Sequence, residues 1–199
     1  MLSIVFGGMA IAMLKTVRRP LLLAFVLAFC TWPLQCATLE RLSLDDMITK
    51  STAIVRGKVT GSYAAWSGRV IYTHYSIRIA ERFKGGSQGL VDVAVPGGAV
   101  SNLRQTFAGA PQFQPGDEYV FFLWTGKSGL TQVIGLTQGL FAIAPGASAD
   151  PVATRRASGE LMLAHGTGAP VKNETLVMKV SELRSRIAAT LAAAGSAAQ

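Results

Sequence analysis

The chain has two cysteines in 199 residues, Cys30 and Cys36, and both lie in its first 36 positions. A disulfide framework within the rest is therefore excluded, and so is a cysteine-based metal site or nucleophile there. Histidine is equally scarce: His74 and His165 stand alone, 91 positions apart, without the local spacing that zinc ligation uses. Acidic residues number 11 against 19 basic. Of these, Asp45 and Asp46 fit the electrostatics of a helix start, and Asp117 and Glu118 fit a turn entering a strand. No carboxylate pair is set apart for acid–base work, and the sequence calls for no cofactor.

Long apolar runs are confined to the beginning. Lys15, Arg18 and Arg19 precede the apolar stretch Leu21 to Trp32, followed by Pro33 and a short polar patch. A basic n-region, an apolar h-region and a boundary near Cys36 or Ala37 make a secretory signal peptide over residues 1–36, with Met13 opening a conventional n-region. The stretch is roughly 12 residues where a spanning helix needs about 20, so no transmembrane anchor is expected in the mature chain. The protein is expected in the periplasm or outside the cell. Removing the three basic residues of that segment leaves 16 basic and 11 acidic, a net charge of +5. Such a charge speaks to weak association with anionic partners rather than to a defined site.

The remaining residues are enough for one domain with its own core. Ser43, Asp45 and Asp46 read as a capped helix start, predicting a short helix from Leu44 to Ser51 that buries Leu44, Met47 and Ile48. From Ala53 the period changes to two. Ile71, Thr73, Tyr75, Ile77, Ile79 and Phe83 form an inward face, while Tyr72, His74, Ser76, Arg78 and Arg82 face outward. Matching inward to inward residues across the first hairpin requires either the three-residue loop Ser67 to Arg69 or a bulge near Gly61. The three-residue version sets Lys58 opposite Arg78, a like-charge pair that a bulge offsets or that marks a weak anion site. Val91, Val93 and Val95 give a third strand. Tyr119 to Trp124 give a fourth that is apolar on both faces, so one side should line a barrel and the other lie under a terminal helix. Leu130 to Thr137 and Leu140 to Ala144 follow. The expected fold is mainly β: an OB-like antiparallel barrel of five to six strands over residues 37–145, with a short N-terminal helix. Residues 146–199 read as an Ala/Gly-rich extension with a possible strand at Gly159 to Leu163. A C-terminal helix from Ser181 follows, carrying the stripe Leu183, Ile187 and Leu191.

The order Ala53-Ile-Val-Arg-Gly-Lys-Val59, a long alternating strand, Phe83-Lys-Gly85, Val91-Asp-Val93 and Gly116-Asp-Glu-Tyr-Val-Phe-Phe-Leu123 resembles the netrin-like module of the tissue inhibitors of metalloproteinases. It is also similar to a widespread class of uncharacterised exported bacterial proteins with segments like Pro96 to Gly98, Gly109 to Pro111 and Gln138 to Phe141. The resemblance covers roughly 90 residues and implies an OB-type barrel flanked by helices. The inhibitors' zinc-chelating N-terminal cysteine has no counterpart here, so their mechanism transfers to no residue.

Two surfaces are candidates for binding. One is the outer face of the first hairpin, Arg56, Lys58, His74, Arg78 and Arg82, with Tyr72 as a stacking platform. The other is the Pro96 to Gly116 connection, with Asn102, Arg104, Gln105, Phe107 and Phe113. These point to an exported, non-enzymatic binding or structural module acting by surface contact on a secreted or envelope protein or an anionic envelope glycan. Nucleic acid fits less well with where the protein is sent. The alternative is a protease inhibitor or accessory domain of a secreted metalloprotease. A more remote one is a serine hydrolase built on Gly85-Gly-Ser-Gln-Gly89, with Ser87 as nucleophile, Asp92 or Asp117 as acid and His165 as base. Ser87, however, sits in a glycine-rich joint between strands, where a nucleophile elbow requires a strand, a sharp turn and then a helix.

Overall fold

The computed structural model describes residues 38–86, 89–144 and 149–196. Residues 1–36, expected as a signal peptide, and Ser87 lie outside the described residues. The first helix, α1 (Leu44–Lys50), starts as its sequence dictates: the Ser43 hydroxyl accepts from the Asp46 amide and the Asp46 carboxylate accepts from the Ser43 amide, a complete capping box. Met47 and Ile48 are fully buried.

The long hairpin follows, β2 (Ala53–Ser67) and β3 (Val70–Lys84). Its loop is the two-residue turn Gly68-Arg69, with positive φ at Gly68, the first-position glycine that a type II′ hairpin turn requires. From the tip, Ser67 pairs with Val70, and pairing continues to Gly61 opposite Ser76. The register then slips at Thr60, so Val59 lies opposite Ile77 and Lys58 opposite Arg78. The bulge near Gly61 is present, and it brings Lys58 against Arg78 with the shorter loop.

β3 also pairs with β4 (Leu90–Pro96), and the lower part of β2, Ala53 to Lys58, with β7 (Glu118–Thr125). Between them lies a small hairpin, β5 (Gly98–Val100) and β6 (Leu103–Gln105). Beyond β7 come β8 (Thr131–Val133) and β9 (Leu140–Ile143), both antiparallel to it. The sheet continues through β10 (Val152–Arg155) to β13 (Leu176–Lys179), giving the path β13-β10-β9-β7-β2-β3-β4 with β8 off it, eight strands in all. Segments after residue 145 are thus part of the main sheet. A separate three-stranded sheet joins β1 (Thr38–Glu40), β11 (Leu161–Leu163) and β12 (Pro170–Val171), with β1 parallel to β11.

Alternation along β7 sorts two cores. Val120 and Phe122 pack with Met47, Ile48, Ile54 and Phe141 and with Val180, Leu183 and Ile187 of α2 (Val180–Ser196). Phe121 and Leu123 pack inside the curl of the sheet with Val55, Val59, Tyr75, Ile77, Val93, Val95 and Phe113. The double-sided strand therefore lies between a curled interior and the helices, as expected. α2 begins where Asp150 accepts both the amide and the hydroxyl of Ser181, 3.0 and 2.7 Å.

The mainly β architecture, with two helices among the described residues, is as read from the sequence, but the main sheet is not a closed barrel. β4 approaches β8 without pairing to it. The gap is lined by Ala94, Val95, Pro96, Pro111, Gln132, Val133 and Leu136. Prolines at 96 and 111 offer no amide hydrogen for a closing ladder, and Phe113 fills the interior from a loop instead.

Candidate binding face on the first hairpin

Residues directly opposite across an antiparallel pair share a face. Tyr63 lies opposite His74, Ala65 opposite Tyr72 and Lys58 opposite Arg78, so these side chains belong to one outer face. At its centre the Tyr63 and His74 rings stack, with centroids 4.8 Å apart and planes within 9°. Asp92, from β4, anchors both: its Oδ2 lies 2.9 Å from His74 Nδ1 and accepts the Tyr63 hydroxyl at 3.2 Å. With a carboxylate as partner, Nδ1 carries the hydrogen. His74 is thereby covered, its side chain 13% exposed, while Tyr63 remains 55% exposed. Partial desolvation, then the charge and hydrogen bond of Asp92, hold the Tyr63 phenol above its ordinary value of 10.0. The result is a flat aromatic surface fixed from two neighbouring strands.

The lower end of the face is polar. Arg56 Nε donates to Glu118 Oε1 at 2.6 Å, and Lys58 Nζ lies 3.7 Å from Glu118 Oε2. Glu118 sits opposite Lys58 in the β2–β7 register, so it offsets the like charges that Lys58 and Arg78 bring together. Arg56, Lys58 and Glu118 line a cavity of about 370 Å³ with Tyr119, Ala142 and Pro151. Arg78 is exposed.

Arg82 leaves this face. The register skips Ala80, which puts Glu81 opposite Arg56 and Arg82 opposite Val55, a residue of the curled interior. Glu81 takes its place outside and accepts from Arg184 of α2 at 2.7 Å. The same irregularity, continued at Phe83, sends Phe83 to the helix-side core rather than to the inward set.

The second predicted surface lies on the opposite side of the ribbon. Asn102 is at the exposed β5–β6 turn, while Arg104 and Phe107 line a cavity of about 190 Å³ with Thr73, Tyr75, Gly97 and Ala110. Gln105 is structural: its Oε1 accepts from the Ile71 amide at 2.7 Å and its Nε2 donates to Arg69 O at 3.1 Å. Phe113 is buried in the core. Thr73 and Tyr72 point to opposite sides of β3, so the two candidate surfaces do not merge into one site.

Tyr63 and Asp92 are the members of the face that sequence reasoning missed. The signal for Tyr63 was the turn: Gly68 at the first position of a two-residue loop pairs position 63 with 74, whereas the three-residue loop pairs it with 73. His165 sits apart, its Nδ1 against Glu40 Oε1, and Asp117 accepts from the Gln114 amide within a turn. No group of three metal-ligating side chains occurs among the described residues, and no helix among them is long and apolar enough to cross a membrane. No family model, curated protein or solved structure matches the chain.

Proposed function

We propose that this chain is an exported, non-enzymatic binding module that works by surface contact through the outer face of its first hairpin. The observation that carries the proposal is the Tyr63–His74 stack anchored by Asp92. An aromatic ring left more than half exposed yet held flat offers contact area at little ordering cost when a partner docks, which is how Tyr is used at recognition surfaces. Lys58 and Arg78, opposite each other and four residues further along β3 from His74, supply cationic charge on the same face. A ring platform with cations further along the same face suits an extended anionic polysaccharide: the apolar faces of the sugars pack on tyrosine and carboxylates or phosphates further along the chain meet the arginine and lysine. In this reading the curled sheet is an OB-like barrel left open between β4 and β8, in keeping with the netrin-like resemblance of its strand motifs. The test is a titration of the full chain with an acidic polysaccharide at low salt and at ~0.5 M salt. Tyr63→Ala should weaken binding at both salt levels and Arg78→Ala chiefly at low salt. Unchanged affinity in Tyr63→Ala would remove the platform from the reading.

A further inference from the structure

At the distal end of the ribbon two hairpin tips are tied side by side. Gln105 of β6 joins them: its Oε1 accepts from the Ile71 amide at 2.7 Å, and its Nε2 donates at 3.1 Å to the carbonyl of Arg69, in the turn of the long hairpin. A Cβ on Gly98 would lie 3.2 Å from Ile71 Cγ2 and 3.4 Å from the Ala64 Cβ, so β5 passes over the side of the ribbon that carries Ala64 and Ile71. Trp66 is opposite Ile71 and two residues beyond Ala64, on that same side. Leu103 is two residues before Gln105 and shares its side of β6, the side turned to the ribbon. Trp66 and Leu103 therefore belong to the two walls of the seam between the tips. They do not close it, for Trp66 remains 45% and Leu103 61% exposed.

The charge around this seam has one sign. Residues 47–80 and 93–116 contain no aspartate or glutamate. Arg69, in the first turn, and Arg104, next to Leu103, are both exposed. No ion pair among the described residues includes either of them. Asp92 of β4 turns to His74 and Tyr63 on the other side of the ribbon. Large apolar side chains left open together mark a contact surface. Tryptophan, with an apolar body and one N–H, is a residue of membrane–water interfaces, and arginine lays its stem on apolar surface while its head meets phosphate. A fluid lipid surface needs no recess to receive a small projecting tip, whereas a folded partner would have to supply one.

We infer that the joined tips are a contact for an anionic membrane surface, with Trp66 and Leu103 entering the headgroup layer and Arg69 and Arg104 meeting the lipid phosphates. This contact does not rest on the Tyr63 face, which lies on the opposite side of the ribbon.

The chain has three tryptophans, Trp32, Trp66 and Trp124, and Trp124 provides an internal control. It is as open as Trp66, at 46%, but follows Leu123, which pairs with Ala53 at the far end of β2. The full chain with Trp32→Phe and Trp124→Phe reports from Trp66 alone; with Trp32→Phe and Trp66→Phe it reports from Trp124 alone. Each is titrated with vesicles of about one part phosphatidylglycerol to two parts phosphatidylcholine, brominated on the acyl chains to quench an inserted indole. At low salt the Trp66 emission should shift to the blue and be quenched, and that of Trp124 should not change. In the Trp66 reporter, Leu103→Ser should raise the lipid concentration for half-maximal quenching roughly tenfold, and Arg69→Ala and Arg104→Ala about fivefold each. At ~0.5 M salt the two arginine variants should match their parent. An unquenched Trp66, equal quenching of Trp66 and Trp124, or a lipid dependence that none of the three substitutions moves would each overturn the assignment. So would an acidic polysaccharide that shifts the Trp66 emission as far as the vesicles do, since the tip would then belong to a glycan site.

Discussion

Gly57 and Gly61 stand four residues apart on β2, and the same substitution should act on them in opposite directions. A Cβ on Gly57 would lie 2.6 Å from the carbonyl oxygen of Arg78 and 2.8 Å from Ile77 Cγ2. Ordinary carbon contacts begin near ~3.5 Å, so the neighbours must retreat by close to an ångström. One of them is backbone in a strand paired on both sides, and Gly57 itself is paired with both Ile79 and Tyr119. Overpacking of this kind costs about 1–3 kcal/mol, and the rigid neighbour places Gly57→Ala at the upper end. The smaller chain entropy of the unfolded alanine variant returns about 0.4–1 kcal/mol. A net loss near ~2 kcal/mol corresponds to a fall of roughly 4–8 °C in the melting midpoint for a domain of this size. At Gly61, beside the bulge, a Cβ meets nothing within 4 Å and the backbone does not need the left-handed region. Gly61→Ala therefore keeps only the entropic gain and should stabilise by about 0.4–1 kcal/mol. Urea unfolding of both variants gives the comparison, with equal m-values as the check that only stability changed. Equal midpoint shifts for the two, or a Gly57→Ala protein as stable as wild type, would refute the close packing of β2 between β3 and β7.

Asp92→Asn removes the charge that adds to desolvation in raising the Tyr63 phenol; the phenol should then titrate closer to its ordinary value, read by ultraviolet absorbance against Tyr63→Phe. An unmoved titration would mean that Asp92 does not act on Tyr63. Asp45, Asp46 and Asp150 are held below the ordinary 3.8 chiefly by hydrogen bonds from Arg186, Ser43 and Ser181 respectively. Because their folded values are lowered, the stability they contribute is complete above about pH 4 and is lost as pH falls through the folded values. The melting midpoint should drop in that window, and by less in Asp45→Asn, which removes the charge and one of the two acceptor oxygens that α1 offers to Arg186 and Thr190. A profile flat to pH 3 would count against this. Gln138→Leu leaves the Leu42 amide and the Glu40 carbonyl without their partner and should cost about 1–3 kcal/mol. Hydrogen exchange at Leu42 should speed up, and an unchanged rate would show that the amide finds another acceptor.

What could be read from the sequence was local. The cap at Ser43 and Asp46 fixed the start of α1, and the spacing of Leu183, Ile187 and Leu191 marked the buried stripe of α2. The two-sided apolarity of Tyr119 to Trp124 required cover on both faces, and both covers are there. What could not be read depends on single-residue slips and distant partners. Nothing in Ala80-Glu81-Arg82 announces that Ala80 is skipped, yet that skip moves Arg82 from the outer to the inner side. The parallel pairing of Thr38–Glu40 with Leu161–Leu163 spans more than a hundred residues and leaves no trace in either segment's periodicity. The same holds for Asp92, whose meeting with Tyr63 across 29 positions depends on the register of two ladders.

The lengths of the strands bear on the binding face proposed for the first hairpin. β2 and β3 each run for 15 residues, roughly 50 Å at about 3.3 Å per residue, but β7 pairs only with Ala53 to Lys58. The distal half of the ribbon is therefore supported by β4, by the β5–β6 hairpin and by Phe113, whose ring packs against Tyr75. On its inner side that hairpin fits close: Gly98, with φ 141°, passes so near the ribbon that a Cβ would lie 2.6 Å from Thr73 Oγ1. The inner side is thus occupied, whereas the outer side leaves the Tyr63 ring exposed. A ribbon held by few neighbours opens more readily than the paired half of the sheet, so a ligand on the outer face must also rigidify it. Addition of the acidic polysaccharide should slow amide exchange at Tyr63 to Ser67 and Val70 to His74 while leaving Ile54 to Lys58 unchanged. Protection confined to the β5–β6 hairpin would instead move the binding surface to the groove beside Phe107.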